Sequence, residues 1–494
     1  MSKKKKNVKN TSTKKKTGIK KYKKLGLLLT LVLALIVGFF LYKAYGLGLP
    51  SKYFMVVAAI LSIIVAIILC LLIHRRRGLR IVGLVLLILV GGGTFYGSTV
   101  MNDVHNTLKA MEENAAKKAK LSYSVLINEV YDTENGEVAP ELTELSDKTF
   151  AVLEVGNTSY NRDVVEMIRK DMDQHIEFDS IKTADEAIEK MISGEIQVLV
   201  MNESVRSMVE YDLNTISTVV KTYEFEQEKE VNTNSAKVTE EPFIVYISGI
   251  DTYGDLSVNA RTDVNKIAVV NPLVHEVLFI DIPRDYYVSQ PCQAGQKDKL
   301  THTGMMGIGC SIDTIADFMD IDINYYARVN FSSVIEIINA LGGVSVYSEY
   351  DFCVDGFCYY RGENEMSGEK ALRFARERYS LPGGDFDRIK NQTRVLEAMI
   401  NKVLSPSILS NYDDLLKVVS NNVETNMSAK EMISLVKMQL SDMSGWTMDS
   451  YALEANGTYA YSPMCGQQLY QGIPVQSTIG EAKMLIDELM AKIY

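Results

Sequence analysis

The stretch 371–395, "ALRFARERYSLPGGDFDRIKNQTRV", carries five arginines and one lysine in a chain whose net charge is −10. Arg376 and Arg378 are two apart, so an extended segment points both side chains the same way. Arg388 and Gln392 are four apart and share one face of a helix. Pro382-Gly383-Gly384 supplies a turn between the two pieces, which lets both converge on one anion. Arg261 in "ARTD" and Arg284 in "IPRD" add guanidinium groups from separate segments. Guanidinium groups match phosphate oxygens through bidentate, charge-assisted hydrogen bonds, so the constellation suits a phosphate-bearing anion. Asp251 and Asp263 are its acidic counterpart, one ending a predicted strand and the other beginning the next. Two carboxylates there would repel the anion unless a divalent cation bridged them. Mg²⁺, or Mn²⁺ in its place, takes one or two carboxylates together with phosphate oxygens. Asp251, Asp263 and Asp385 are also the candidates for a general base. Arg373 and Arg394 read as surface ion pairs, worth ~0–1 kcal/mol each.

The elements that position these residues read as α/β. "PFIVYISGID" (242–251), "NKIAVVNP" and "EVLFIDIPRD" are strands whose near-continuous apolar character implies burial on both sheet faces. Helices are predicted at 311–319, 331–341, 368–377 and 386–403, with amphipathic helices filling the C-terminal hundred residues. Gly342-Gly343 ends the second helix and Ser367 is placed to cap the third. Residues 241–494 thus form a three-layer α/β domain with a mixed sheet, large enough at about 250 residues to bury its own core. "GMMGIG" (304–309) lacks the strand–turn–helix setting of a phosphate loop.

Upstream lies a smaller α/β module within 101–235, with strands at 148–156 and 196–202 and helices at 161–172 and 184–194. A helical connector from 101 to about 145 leads into it through "SYSVLINEVY", and the polar run 226–241 links it to the larger domain. No catalytic constellation falls in this module, so it reads as an accessory or interaction domain.

Residues 25–42, 53–73 and 81–100 are uncharged apolar runs, each long enough to cross a ~30 Å hydrocarbon core as a helix. Twelve lysines crowd the first 24 residues, and "HRRRGLR" joins the second and third runs. The positive-inside rule therefore places the N-terminal tail (1–24) and the arginine loop in the cytoplasm, and everything after the third run outside the cell. Beyond residue 100 there are 34 basic and 62 acidic residues, a surface that repels nucleic acid. Five cysteines lie outside, and no C-x-x-C pair or His/Cys cluster suggests zinc. The local pairs 292–310 and 353–358 are plausible disulfides, although sequence does not fix the connectivity.

Taken in order, "SGIDTYG", "ARTDVNKIAVV", "VLFIDIPRDYYV", "KLTHTGMMG" and "ALRFARERYSLPGGDFDRIKNQTRVL" resemble the motifs of the LytR–CpsA–Psr (LCP) family of cell-wall ligases. The three spans and the intervening small domain are similar to its capsule-associated, CpsA-type branch. The resemblance implies a membrane-anchored, multi-pass enzyme with an extracellular catalytic domain. It would transfer a glycopolymer, capsular polysaccharide in this branch, from polyprenyl pyrophosphate to peptidoglycan as a phosphotransferase-type ligase. It further implies a Mg²⁺ (or Mn²⁺) cofactor held by Asp251 and Asp263. Arg261, Arg284, Lys299, Arg376, Arg378, Arg388 and Gln392 become pyrophosphate contacts, with Asp251, Asp263, Arg261, Arg376 and Arg378 as the catalytic set. Capsule-assembly proteins are implied as partners. "THTGMMG" and the cysteine-bearing insert 350–360 depart from the family pattern and bear on the acceptor side. A non-catalytic polyprenyl-lipid-binding regulator and a polyprenyl pyrophosphatase would share the same anion site.

Overall fold

The computed structural model describes residues 2–46, 51–115, 118–132, 136–155, 158–209, 213–227, 231, 233–405, 412–442 and 444–493. The apolar runs lie in helices Ser2–Gly46, Ser51–Ile73 and Arg77–Ala115. Their portions long and apolar enough to cross a membrane are Lys23–Tyr45, Phe54–Ile73 and Arg77–Asp103. Thr30, Thr94 and Ser98 donate their hydroxyls to carbonyls one turn back, which satisfies these polar groups inside the helices. Leu33, Val37, Ile68 and Leu72 pack together between the helices. Residues 1–109 and 429–443 form one compact unit, and the rest of the chain forms a second.

The expected helical connector is shorter than the sequence suggested. The third helix is described as far as Ala115, and Ala119–Ile127 is a strand. Leu121, Tyr123, Val125 and Ile127 alternate onto one buried face, a pattern suited to a pleated strand rather than a helix. This strand pairs antiparallel with Val198–Asn202 and Thr218–Gln227 in a five-stranded mixed sheet. Helices Asn161–Met172 and Ala184–Ser193 lie where the spacing predicted them, and Gly194 ends the second at φ 75°. Of the linker 226–241, residues 228–230 and 232 lie outside the described residues.

The larger domain is built on a six-stranded sheet. Its order is Glu424–Thr425, Tyr325–Val329, Phe243–Ile250, Thr262–Asn271, Glu276–Ile282 and Thr447–Ala452. Thr262–Asn271 runs antiparallel to both neighbours, Tyr325–Val329 pairs in parallel with Phe243–Ile250 but antiparallel with Glu424–Thr425, and Thr447–Ala452 pairs in parallel with Glu276–Ile282, so the sheet is mixed. Ile267, Val269 and Ile280 pack on one face against Ile312, Ile315 and Ile486. Ala268 and Phe279 pack on the other against Leu396 and Ile400 of helix Asp385–Leu404. Three layers result, as the buried strands implied.

A polar pin crosses that second interface. Lys266 and Asp281, both buried, form an ion pair on the sheet. The Thr393 hydroxyl lies 2.7 Å from the Lys266 amine and donates to Asp281 at 2.8 Å. Removing one partner of such a pair costs about 3–5 kcal/mol because the other charge stays buried. The pin therefore fixes the rotation of the helix that carries Arg388.

The C-terminal hundred residues are not all helix. Strand Thr447–Ala452 and an antiparallel ribbon, Ala455–Ser462 with Gln467–Pro474, come in chain order between helices Ala429–Asp442 and Gln476–Ala491. "TYAYS" alternates with period two, which is strand patterning. Ser367 precedes helix Gly368–Arg376, but its side chain makes no capping hydrogen bond. Cys292–Cys310 and Cys353–Cys358 are disulfides.

Candidate anion-binding site

Asp251 directly follows strand Phe243–Ile250, and Asp263 is the second residue of strand Thr262–Asn271. The two strands pair antiparallel, so the carboxylates sit at one end of the sheet. The Asp251 amide donates to the Arg261 carbonyl at 3.1 Å, and the Arg261 guanidinium donates to the Asp251 carboxylate at 2.5 Å. Asp263 accepts from Arg284 at 2.6 Å and from the Thr301 hydroxyl at 3.1 Å. Lys299 donates to Asp285 at 2.9 Å, beside Arg284.

Helix Gly368–Arg376 ends because Glu377 turns extended, at φ −68° and ψ 134°. The Arg376 guanidinium lies 4.1 Å from the Phe331 ring centroid, a cation–π contact that holds its plane. Arg378 lies over the exposed Tyr379, 4.6 Å from its centroid. The chain then reverses through the predicted turn. Asp387 accepts from the Gly383 amide at 2.7 Å, and a Cβ on Gly383 would meet that carboxylate at 2.8 Å. Gly384 takes φ 55° and ψ −120°, which a side chain would strain. Arg388 follows one turn into the next helix, 8% exposed, with Asp385 2.5 Å away. Gln392 is half-buried one turn further on.

Electrostatics bind these pieces into one site. Burial and the nearby Asp263 charge raise the Asp251 pKa, against the pull of Arg261 and Arg376. Burial lowers the Arg388 pKa, and Arg284 and Arg378 push the same way while Asp385 and Asp263 oppose. Arg284 and Arg388 each also bury an Nε–H with no hydrogen-bond acceptor among the described residues. Crowded cations with unused donors on one side, and two mutually repelling carboxylates on the other, fit an anion bridged by a divalent cation. Among the described residues no cluster of three or more His, Cys, Asp or Glu could cage a metal by itself. Asp251 and Asp263 therefore fit a Mg²⁺ that shares phosphate oxygens, rather than an all-protein site.

The structure thus brings Arg261, Arg284, Arg376, Arg378, Arg388, Asp251 and Asp263 together, with Lys299 joined through Asp285. Arg373 instead pairs with Glu369 and Asp355, and Arg394 with Glu349. Sequence reasoning missed Thr301, Asp285 and Phe331, whose roles come from long-range contacts that no local spacing signals.

Behind Lys299 lies a buried support. Asp298 accepts from Ser462 and from the Met464 amide, each at 2.9 Å, and lies 2.9 Å from the His302 ring. Burial alone would lower the His302 pKa, but the hydrogen bonds to Asp298 and Cys465 outweigh it and raise the value from 6.5 to about 9. The folded state therefore holds this proton more tightly than the unfolded chain does. The stabilisation is complete below about pH 6.5 and is lost as pH rises through about 9. The melting temperature of the wild type is expected to fall as pH rises from about 6.5 to about 9, and His302→Gln to remove that slope. An unchanged slope in the variant would show that another group titrates.

A profile of the LytR_cpsA_psr family matches residues 209–472. A polyisoprenyl-teichoic acid–peptidoglycan teichoic acid transferase TagU from Enterococcus faecalis is 37% identical over 213 residues, covering 43% of this chain and 69% of that protein. The Bacillus subtilis protein of the same name is 34% identical over 208 residues, covering 42% of this chain and 65% of that protein. The crystal structure of B. subtilis TagU aligns at 28% identity and a TM-score of 0.41, covering 52% of this chain and 99% of the other.

Proposed function

Because the chain belongs to the LytR_cpsA_psr family, we propose that it transfers a glycopolymer from a polyprenyl pyrophosphate carrier to peptidoglycan on the outer face of the membrane. The observation that carries this reading is the convergence of Arg261, Arg284, Arg376, Arg378 and Arg388 on the Asp251–Asp263 pair in an otherwise acidic domain. Its three spanning helices and added α/β module favour capsular polysaccharide as the glycopolymer.

The reaction is of the phosphotransferase type. An acceptor hydroxyl attacks the phosphorus on the glycan side and gives its proton to a carboxylate base, for which Asp251, Asp263 and Asp385 are the candidates; a new P–O bond forms, the bridging P–O bond breaks and polyprenyl phosphate leaves. Arg376, Arg378 and Arg388 grip the phosphate oxygens, and Gln392 adds a neutral donor on the same helix face. Arg284 and Arg261 orient Asp263 and Asp251, and Lys299 flanks the anion through Asp285. Mg²⁺ held by Asp251 and Asp263 would neutralise charge on the phosphate oxygens when bound. Fixed guanidinium groups serve the same end without reorganising as charge moves to the leaving oxygen.

The test is a transfer assay with the full-length protein in lipid nanodiscs, Mg²⁺, a labelled polyprenyl-pyrophosphate-linked glycan and peptidoglycan. Label covalently attached to peptidoglycan supports the proposal. Carrier binding without turnover would identify a regulator, and phosphate release independent of acceptor would identify a pyrophosphatase.

The reading also fixes a topology. The site must face the carrier on the outer leaflet, in accord with the lysine-rich N-terminus and the arginine loop lying inside. A reporter fused after residue 105 should be active only outside the cell, and one fused at Arg77 only inside. A cytoplasmic signal from the first fusion would overturn both the topology and the function.

A further inference from the structure

The ribbon Ala455–Ser462/Gln467–Pro474 presents a surface that the anion site does not use. Its register places Tyr459 opposite Tyr470 and Tyr461 opposite Gln468, so all four side chains occupy one face. Tyr459 is 74% exposed, Tyr461 46% and Tyr470 51%, while Ser462 and Gln471 on the other face are fully buried. The Tyr470 hydroxyl lies over Gly457, where a Cβ would come within 2.5 Å of it. Tyr459 meets the Tyr470 ring edge-on, with centroids 6.0 Å apart. The face is therefore a set of braced aromatic rings rather than scattered tyrosines.

Its charge is as telling as its shape. Residues 455–474 contain no Asp, Glu, Lys or Arg, in a region beyond residue 100 that holds 62 acidic and 34 basic residues. A polyanion gains nothing here, and a cationic partner would find better ground elsewhere on the domain. A neutral sugar chain fits. Pyranose rings offer a face of C–H bonds to the electron-rich face of an aromatic ring. The phenol hydroxyls and the Gln468 amide are placed to meet ring hydroxyls and acetamido groups at the rim.

The ribbon is also continuous with the anion site. The Gly472 amide donates to the Asp285 carbonyl at 2.7 Å, beside Arg284 and on the residue that holds Lys299. The Ser462 hydroxyl and the Met464 amide donate to Asp298, the residue before Lys299. Tyr470 is two residues from Gly472, about 7 Å along the strand. A chain lying on the tyrosines would reach the edge of the anion site within a few sugar rings.

We propose that the Tyr459–Tyr461–Tyr470 face docks the neutral, N-acetylated glycan strand of the acceptor and delivers its hydroxyl to the anion site. This rests on the transferase reading above and assigns that reaction's acceptor subsite. The probe is a chitin oligosaccharide titrated, without carrier lipid or metal, into the full-length protein in nanodiscs. The combined Tyr459→Ala and Tyr470→Ala variant should bind it about tenfold more weakly. Tyr459→Phe and Tyr470→Phe should bind nearly as the wild type does, because they keep the ring faces. Polyprenyl pyrophosphate binding should be unchanged in all of them. Oligosaccharide binding that is absent in the wild type, or unaffected by the alanine changes in a folded protein, would overturn the proposal. So would a dimer that the alanine changes dissociate while oligosaccharide binding stays intact, since the face would then join two copies of the chain. Loss of carrier binding alone would count against the transferase reading and not against this face.

Discussion

Asp251→Ala and Asp263→Ala are each expected to cut Mg²⁺-dependent transfer on the order of a hundredfold or more, with the fold intact. Burial and the Asp263 charge raise the cost of ionising Asp251, and a divalent cation relieves it. Neither residue is part of the apolar core; each sits at the sheet end with a guanidinium partner. Loss of Asp251 leaves Arg261 unmatched, and loss of Asp263 releases both Arg284 and Thr301, so Asp263→Ala should be the more damaging. Because the Asp251 pKa is raised, protons compete with the cation at a higher pH than for an ordinary aspartate. The Mg²⁺ requirement should therefore rise as pH falls, and an Mg²⁺ titration of transfer at several pH values checks both points. A variant with normal turnover and normal metal dependence would show that its residue is not a ligand.

Arg376, Arg378 and Arg388 should each lose carrier affinity by roughly one to two decades on change to alanine, matching ~1.5–3 kcal/mol for a charge-assisted contact in a partly desolvated site. Lysine keeps the charge but loses the planar two-point fork, so Arg→Lys should be nearly as damaging. The structure ranks the three. Arg388 is 8% exposed, wedged among Arg284, Arg378 and Asp385, and should cost most. Arg376 is held on Phe331 and should follow, and Arg378, which lies over exposed Tyr379, should cost least. Arg373→Ala is the internal control: its guanidinium already pairs with Glu369 and Asp355, and its loss should cost little. Polyprenyl pyrophosphate binding measured for all four, with circular dichroism to verify folding, decides the matter. If only Arg373 mattered, the wrong helix face has been assigned.

Most of this site could be read from local pattern because its parts are local. The Arg376/Arg378 spacing, the Pro-Gly-Gly turn and the Arg388/Gln392 helix face all sit within 25 residues. The buried strands announced themselves by near-continuous Val, Ile and Phe, and they set Asp251 and Asp263 at the same end of the sheet. What stayed hidden depends on partners far away in sequence. Thr301 reaches Asp263 across 38 residues, and Thr393 reaches Lys266 across 127. The strand Ala119–Ile127 was hidden by its setting, a β-rich run directly after a polar helix that continues the third span. The tyrosine ribbon was hidden for a related reason. Its two short strands alternate polar and aromatic residues between long amphipathic helices, and a window wide enough to detect the helices averages them away.

The transferase reading ties three features to one ligand: crowded guanidinium groups with unused donors, two repelling carboxylates, and three helices long and apolar enough to anchor the chain in a membrane. The most direct measurement is an experimental structure of the full-length protein in nanodiscs with a polyprenyl pyrophosphate and Mg²⁺. The account predicts both phosphorus atoms between Arg376, Arg378 and Arg388 on one side and Asp251 and Asp263 on the other, with Mg²⁺ bridging the carboxylates and the phosphate oxygens. A pyrophosphate bound elsewhere, with Arg376 still on Phe331, Arg378 over Tyr379 and Arg388 paired to Asp385, would contradict it.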